Sequence, residues 1–436
     1  MKRFLALAIA ALMILSCAAC SSDGNGDTTA AEGTTAADTV SDVIAAPVND
    51  DTTAPSETAA PAENGGNTAS PAPADRNNNI NIKPAGTAKP SAGGSSTVTP
   101  PKTDNTPVEV ETDPKKIIVS AEKEWIFTEK ITDSCHASTV LPLDDGTVIA
   151  AWFGGSSEKK NDVNIYTSVR TEEDGWSEPV VVSAAAEIAH WNPVLFQKED
   201  GTVILYFKVG KDTDYWQTYY ATSTDGRSWS TPKELVPGDN SGGRGPVKNK
   251  PIRLKDGTVL APASTEIDGE WRAFVDISND DGETWTRTEN VDSKYCICFK
   301  VPMIQPTLWQ SADGSVHMLT RTKVGKIYRS DSYDNGKTWC RAYATKLPSN
   351  NSGIDLDTDD QGRIFLAYNN IGAPGIRTPL VLSVSTDDGK TFTKIKTFER
   401  GLAEYSYPAV VVKGDTIHIT YTYERDYIAY WQIKVK

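Results

Sequence analysis

The sequence predicts an all-β protein, a six-bladed β-propeller of four-stranded antiparallel blades preceded by a disordered linker. Three observations carry that expectation. The first is an eight-residue unit, Ser278-Asn-Asp-Asp-Gly-Glu-Thr-Trp285, written again at 332–339 and, with Phe for Trp, at 385–392. A weaker copy at 222–229 has Thr224 where the first Asp belongs, and a remnant ends in Asp174-Gly-Trp176. The closing aromatics at 176, 229, 285, 339 and 392 lie 53, 56, 54 and 53 residues apart, which marks an internal repeat. The second is a series of glycine turns in phase with the first, at Asp145-Gly, Asp200-Gly, Asp256-Gly, Asp313-Gly, Gln361-Gly and Lys413-Gly, six in all. The third is the apolar run on either side of every turn. Each period of about 54 residues then reads as four antiparallel strands, the span of a propeller blade.

Each element follows from its composition. Residues 1–20 read as a secretion signal, with Lys2-Arg3 ahead of an apolar run too short to span a membrane in the mature chain. The run ends in Ser16-Cys17-Ala18-Ala19-Cys20-Ser21, similar to a bacterial lipobox, so Cys17 or Cys20 is expected to carry lipid and to hold the protein at the outer face of a bacterial cell membrane. Residues 21–113 are Thr, Ala, Pro, Asn, Gly and Ser with almost no large apolar side chain, too little to offset the entropy of ordering. Such a tether reaches on the order of 55 Å. The propeller is expected over 114–436. Two short strands open it, at 117–119 and 125–127, and with five box turns for six glycine turns the last blade is expected to borrow its outer strand from here. Cys135, Cys296, Cys298 and Cys340 read as free thiols, because an i, i+2 pair on an extended chain suits a disulfide poorly. A net charge of −14 argues against a nucleic-acid partner.

In a propeller the starts of the innermost strands line an axial channel. Here they are strongly polar: His136 and Ser138, His190-Trp191-Asn192, Lys248-Asn249-Lys250, Gln305, Asn351 with Asp355, and Glu404-Tyr405-Ser406-Tyr407. Second strands return Lys208, Glu266, Arg321 and Glu424 toward the same end, Asp162 lies in the loop after one of them, and Arg272 and Arg377 open third strands.

With these residues in place the chain resembles the sialidase (neuraminidase)-type propellers that carry Asp-box, or BNR, repeats. The three full units fit the pattern S-x-D-x-G-x-T-W, and the likeness covers roughly 117–436. It implies an exo-acting glycoside hydrolase of acidic sugars that needs no cofactor. Carried over position by position, Asp162 would be the acid/base, Tyr405 or Tyr407 the nucleophile or charge stabiliser, and Arg321 with Arg377 the clamp on a substrate carboxylate. His136 stands in the place of a further arginine, and Gln305 in the place of the glutamate that polarises the tyrosine. Around them, His190, Asn192, Lys248, Lys250 and Arg272 are candidates for substrate binding. The sequence has no metal-ligand spacing.

Two other readings of the same residues stay open. Histidine and tyrosine beside cations suit β-elimination from a uronate, and His136 and Gln305 at supposed catalytic positions suit a glycan-binding lipoprotein without turnover. His317 and His418, inside second strands, read as core residues, whereas Trp152, Trp191 and Trp216 fit either a core or a sugar platform.

Overall fold

The structure, a computed structural model, describes residues 113–184, 187–297 and 299–436. The signal segment with Cys17 and Cys20, the expected linker up to residue 112, and Cys298 lie outside the described residues. Six sheets follow one another in the chain, each built inner strand first. Blade one is Ser134–Pro142, Val148–Gly155, Asn164–Thr171 and Gly175–Trp176, with Val180–Val182 also on its third strand. Blade two is His190–Gln197, Val203–Val209, Gln217–Ser223 and Lys233–Glu234. Blade three has an inner strand of only Ile252–Arg253, followed by Val259–Thr265, Arg272–Ser278 and Thr286–Arg287. Blade four is Met303–Gln310, Val316–Thr322, Lys326–Ser332 and Tyr343–Pro348. Blade five is Asp355–Thr358, Ile364–Asn369, Leu380–Ser385 and Thr393–Glu399. Blade six is Tyr405–Lys413, Thr416–Tyr423 and Tyr427–Val435, and its outermost strand is Ile118–Trp125 from the other end of the domain.

That last pairing is the expected closure, made by one eight-residue strand rather than two short ones. A hairpin, Lys294–Cys296 with Phe299–Lys300, is inserted between blades three and four.

The glycine turns work as their composition dictates. Asp145, Asp200, Asp256 and Asp313 each accept a hydrogen bond from the amide two residues on, and Gly146, Gly201, Gly257 and Gly314 take φ between 85° and 92°, where a β-carbon is penalised. In the box turns, Ser278 Oγ donates to Asp280 (2.7 Å) and accepts from Gly282 N (2.8 Å), while Asp280 takes Thr284 N (2.9 Å). The copies at 332–339 and 385–392 repeat these bonds. The copy near residue 225 corrects the sequence alignment. Its aspartate is not lost: Asp225 bonds Ser223 Oγ (3.0 Å) and Ser228 N (2.9 Å), so the turn is one residue shorter between Asp and Gly.

Each box aromatic packs on the preceding blade. Trp229 joins a cluster with Ile149 and Val169, Trp285 joins one with Ile204 and Tyr206, Trp339 one with Leu260, and Phe392 one with Trp309. Trp176 completes the series against Tyr430 of blade six, ring centres 5.2 Å apart. Five aromatics thus seal five interfaces. The sixth, between blades five and six, is filled by Ile117, Phe398 and Tyr421. The hydrophobic core is therefore a set of wedges between blades, and the channel is left to polar groups.

Candidate functional site

The inner strands do not run straight into the channel mouth. In blades one, two, four and six, two residues of the inner strand oppose one of the second, between His136 and Thr139, Trp191 and Val194, Ile304 and Thr307, and Ser406 and Ala409. Each of these β-bulges holds one residue in the left-handed region: Ala137 at φ 54°, Asn192 at 43°, Gln305 at 52° and Tyr407 at 54°. Pro193, Pro306 and Pro408 follow three of them. Proline cannot donate to a ladder, and it disfavours the right-handed helical region for the residue before it. A non-glycine residue held there costs roughly 1–3 kcal/mol and persists only where its surroundings enforce it. The preceding blades do so: Ala137 N donates to Thr422 Oγ1 and Gln305 N to Ser264 Oγ, each at 3.1 Å. The bulges re-aim side chains that a straight strand would send elsewhere.

Tyr407 is the centre of what they assemble. Arg321 Nη1 donates to its hydroxyl at 2.6 Å and to Gln305 Oε1 at 2.9 Å, and Nη2 of the same guanidinium reaches Asn351 Oδ1 at 3.1 Å. His136 lies 4.2 Å away, ring centre to ring centre. The Arg377 guanidinium is 5.4 Å from the Tyr407 ring, and its Nη1 donates to Glu404 at 2.5 Å. Glu404 also accepts from Ser406 Oγ (2.8 Å) and from Arg425 Nε (3.2 Å), and Arg425 continues to Glu158 at 2.8 Å. On the other flank, Trp271 stands 5.3 Å from Arg321 and 3.7 Å from Lys323 Nζ.

Charge is distributed unevenly over this cluster. Burial alone would push the Glu404 carboxyl up, but Arg377 and Arg425 outweigh it and hold it below its usual range. Two of the three arginines are thus neutralised. Arg321 is not: it is 5 % exposed and, among the described residues, has no carboxylate within ion-pair distance. Glu266, at the end of the blade-three second strand, is raised by burial, with Arg321 and Lys323 opposing. His136 is held neutral, first by burial and then by Arg425, Arg377, Arg321 and Lys248. Its Nδ1 is buried and finds no hydrogen-bond partner among the described residues.

Of the residues singled out from the sequence, His136, Gln305, Arg321, Arg377 and Tyr407 converge, and Asn192 occupies the bulge position equivalent to Gln305 and Tyr407. Others are placed elsewhere. Asp162 is exposed, and its carboxylate closes its own loop by accepting from Ser156 N (2.9 Å) and Ser156 Oγ (3.0 Å). Tyr405 packs in the wedge between blades five and six, 5.0 Å from the Tyr423 ring, with burial and Tyr423 pushing its hydroxyl up. The reason is the bulge: without it, Tyr405 and Tyr407 would share a face. His190 is structural. Its Nε2 accepts from Ala184 N (2.9 Å), which leaves the proton on Nδ1 for the carbonyls of Ile188 and Val163.

The two lysines also differ from expectation. Lys248 spends its ammonium on Asn249, Ile354 O and Pro408 O, tying blades together beneath Tyr407, and burial draws it down to about 7. Lys250 points to the other end of the channel, donating to Leu356 O at 2.7 Å beside Asp355. Arg272 pairs with Glu270 outside the cluster. Trp152, Trp191 and Trp216 are buried in the core. His317 and His418 are core residues as read, bonded to Asp331 (2.6 Å) and Tyr430 (2.8 Å). Cys135 and Cys340 are free thiols, with burial pushing Cys135 up to about 12.

Sequence reasoning missed Arg425 and Glu158. Arg425 rides on the turn between the last two strands of blade six, where it and Glu424 take φ of 61° and 55°, a type I′ pattern. The signal was available, since that turn lies at the same end as the second-strand residues already named. Glu158 sits four residues before Asp162 in the same loop, and nothing local distinguishes the two carboxylates.

Comparison with known proteins bears on the fold and the family. No curated protein sequence matches the chain. Among solved structures, a Dyadobacter fermentans protein of unknown function superposes with a TM-score of 0.60 at 16% identity, over 73% of this chain and 100% of that one. A sialidase of Hadza microbial origin gives 0.58 at 16% identity, over 70% of this chain and 66% of its own. The Trypanosoma rangeli sialidase, solved with the inhibitor DANA, gives 0.56 at 13% identity, over 72% and 60%. The chain thus spans less than two thirds of either sialidase. At these identities the likeness speaks for the propeller alone. A family model described as the BNR repeat-like domain matches residues 146–419, and with the box turns it makes this chain a member of the BNR repeat-like family, of sialidase-like fold.

Proposed function

We propose that the protein is a glycoside hydrolase of acidic, sialic- or uronic-acid-containing glycans, and the observation that carries this reading is Arg321. A guanidinium buried to 5 % exposure with only neutral partners is a cation prepared for an incoming anion. Gln305 is what leaves it so. A glutamate there would neutralise Arg321, whereas the amide orients it and keeps its charge for a sugar carboxylate.

The remaining groups divide the chemistry. Glu266, whose carboxyl is raised by burial against the opposing pull of Arg321 and Lys323, protonates the departing glycosidic oxygen. Tyr407, with the Arg321 donor on its oxygen, faces the anomeric carbon as stabiliser of the positive charge that develops there. Water then adds its hydroxyl to the anomeric carbon, and its proton returns to the Glu266 carboxylate. Two of the fold neighbours being sialidases supports the same class.

One observation favours β-elimination as a second reading. A neutral, buried His136 whose Nδ1 makes no hydrogen bond among the described residues and stands 3.9 Å from Glu404 Oε1, beside Tyr407, is also a base-and-acid pair suited to a uronate whose carboxylate Arg321 neutralises. A panel of fluorogenic sialosides and uronosides with unsubstituted uronate oligomers tests both. Release of fluorophore that vanishes in Arg321→Ala and Tyr407→Phe supports hydrolysis, and a rise in enone absorbance supports elimination. Saturable binding without either product supports a binder. The proposal includes export and lipid attachment at Cys17 or Cys20; labelling with a tagged fatty acid should disappear on substitution of one of them, and an unlabelled wild-type chain would overturn it.

A further inference from the structure

The hairpin inserted between blades three and four breaks two local rules. Lys294 and Lys300 are paired directly across it, and like charges in that position are destabilising. Among the described residues neither has a carboxylate within ion-pair distance. The same hairpin leaves Tyr295, Ile297 and Phe299 exposed, at 72, 95 and 43 %. A self-sufficient hairpin would cover its apolar groups or balance its charges, and this one does neither. It walls a groove of about 460 Å³ whose other wall includes Trp271, Arg272 and Pro302. That volume lies within the range of small-molecule sites. Trp271 connects the groove to the candidate site, because Arg321 and Lys323 both stand against its ring. A lining of Trp271, Ile297 and Phe299 edged by the uncompensated Lys294 and Lys300, with Arg272 already paired to Glu270, on a chain of net charge −14, matches a sugar chain that offers ring faces and anionic groups together.

The geometry points to this groove as the seat of the leaving-group side of the substrate, so that the natural substrate is an oligosaccharide carrying a second anionic residue, carboxylate or sulfate, next to the one held by Arg321. This inference rests on the acidic-glycan reading above and extends it from one sugar to a chain. Calorimetric titration of the full chain separates the two. The probes are a sialic acid hexamer and a uronic acid hexamer, each beside its monosaccharide. One hexamer should bind more tightly than its monosaccharide, and the double variant Lys294→Ser/Lys300→Ser should weaken that hexamer about fivefold to tenfold while leaving the monosaccharide unchanged. The advantage should shrink as salt is raised. Equal affinity for hexamer and monosaccharide, with monosaccharide binding still lost in Arg321→Ala, would overturn the groove and leave the acidic-sugar site standing. No binding of any of the four probes by the wild type would overturn both.

Discussion

In the proposed hydrolysis the chemistry turns on Tyr407 and Glu266, and both owe their proposed roles to surroundings rather than to type. Tyr407 reaches Arg321 because its backbone is left-handed, and the Glu266 carboxyl is raised because burial outweighs the opposing pull of Arg321 and Lys323. A carboxyl held above its usual range acts as an acid below its pKa and stops as pH rises through it. Glu266→Gln is therefore expected to lower kcat by roughly 10²- to 10⁴-fold on a substrate with a poor leaving group, and to flatten the alkaline limb of kcat/KM. A pH profile measured on both forms checks this; an unchanged alkaline limb in the variant would assign the acid elsewhere, with Glu158 next in line. Introducing a carboxylate by Gln305→Glu should weaken binding of an acidic sugar in a calorimetric titration, because it pairs the one guanidinium of this cluster that has no carboxylate partner among the described residues.

At the scale of the element, the box turn and the N-terminal strand do the same job at different interfaces. Each box aromatic seals its blade against the one before it, and Ile118–Trp125 completes the blade that has no box. Trp339→Ala removes such a seal and should cost about 3 kcal/mol in urea unfolding, with the box hydrogen bonds left in place. Deleting Ile118–Trp125 exposes the edge of Tyr427–Val435, and an open edge recruits other strands. The shortened chain should unfold at lower urea and self-associate on a sizing column. A monomer with an unchanged midpoint would show that closure contributes little. The bulges belong to this scale too: four inner strands bend at equivalent points, and the channel chemistry sits at the bends.

Across the whole molecule, buried histidines set the response to acid. His136, His190 and His418 are all lowered from 6.5 by burial, His418 to about 4. The unfolded chain takes up these protons below pH 6.5 and the native chain does not, so stability is fullest above that value and falls as pH drops. The box aspartates Asp225, Asp280, Asp334 and Asp387 are lowered in the native state, Asp280 to about 2, and contribute stability that is lost below the unfolded value of 3.8. The raised carboxyls of Glu266 and Asp357 oppose this. Calorimetric melting should show a decline between pH 6.5 and 5 and a steeper one below 4. A melting temperature that is flat from pH 7 to 5 would contradict the neutral histidines.

How much of this was legible beforehand follows from the distance over which each feature is encoded. Blade number, turn chemistry and the borrowed strand were readable because a turn is specified by four to eight adjacent residues and a repeat by its spacing. His136, Gln305 and Arg321 were readable because each lies within two residues of a strand end at the channel; Arg377, expected to open a third strand, lies three residues ahead of Leu380–Ser385. That Tyr407 and not Tyr405 meets Arg321, that Arg425 joins Arg377 on Glu404, and that Glu158 and not Asp162 meets Arg425 was not readable. Strand alternation assigns faces only while the ladder is regular, and the bulge at Tyr407 breaks it. A carboxylate in a loop goes to whichever donor its blade neighbours present, here Ser156 for Asp162 and Arg425 for Glu158. Local hydrogen bonding and apolar periodicity wrote the ring into the sequence; the partners of each charge across the channel came from blades far apart in the chain, and only folding brought them within reach.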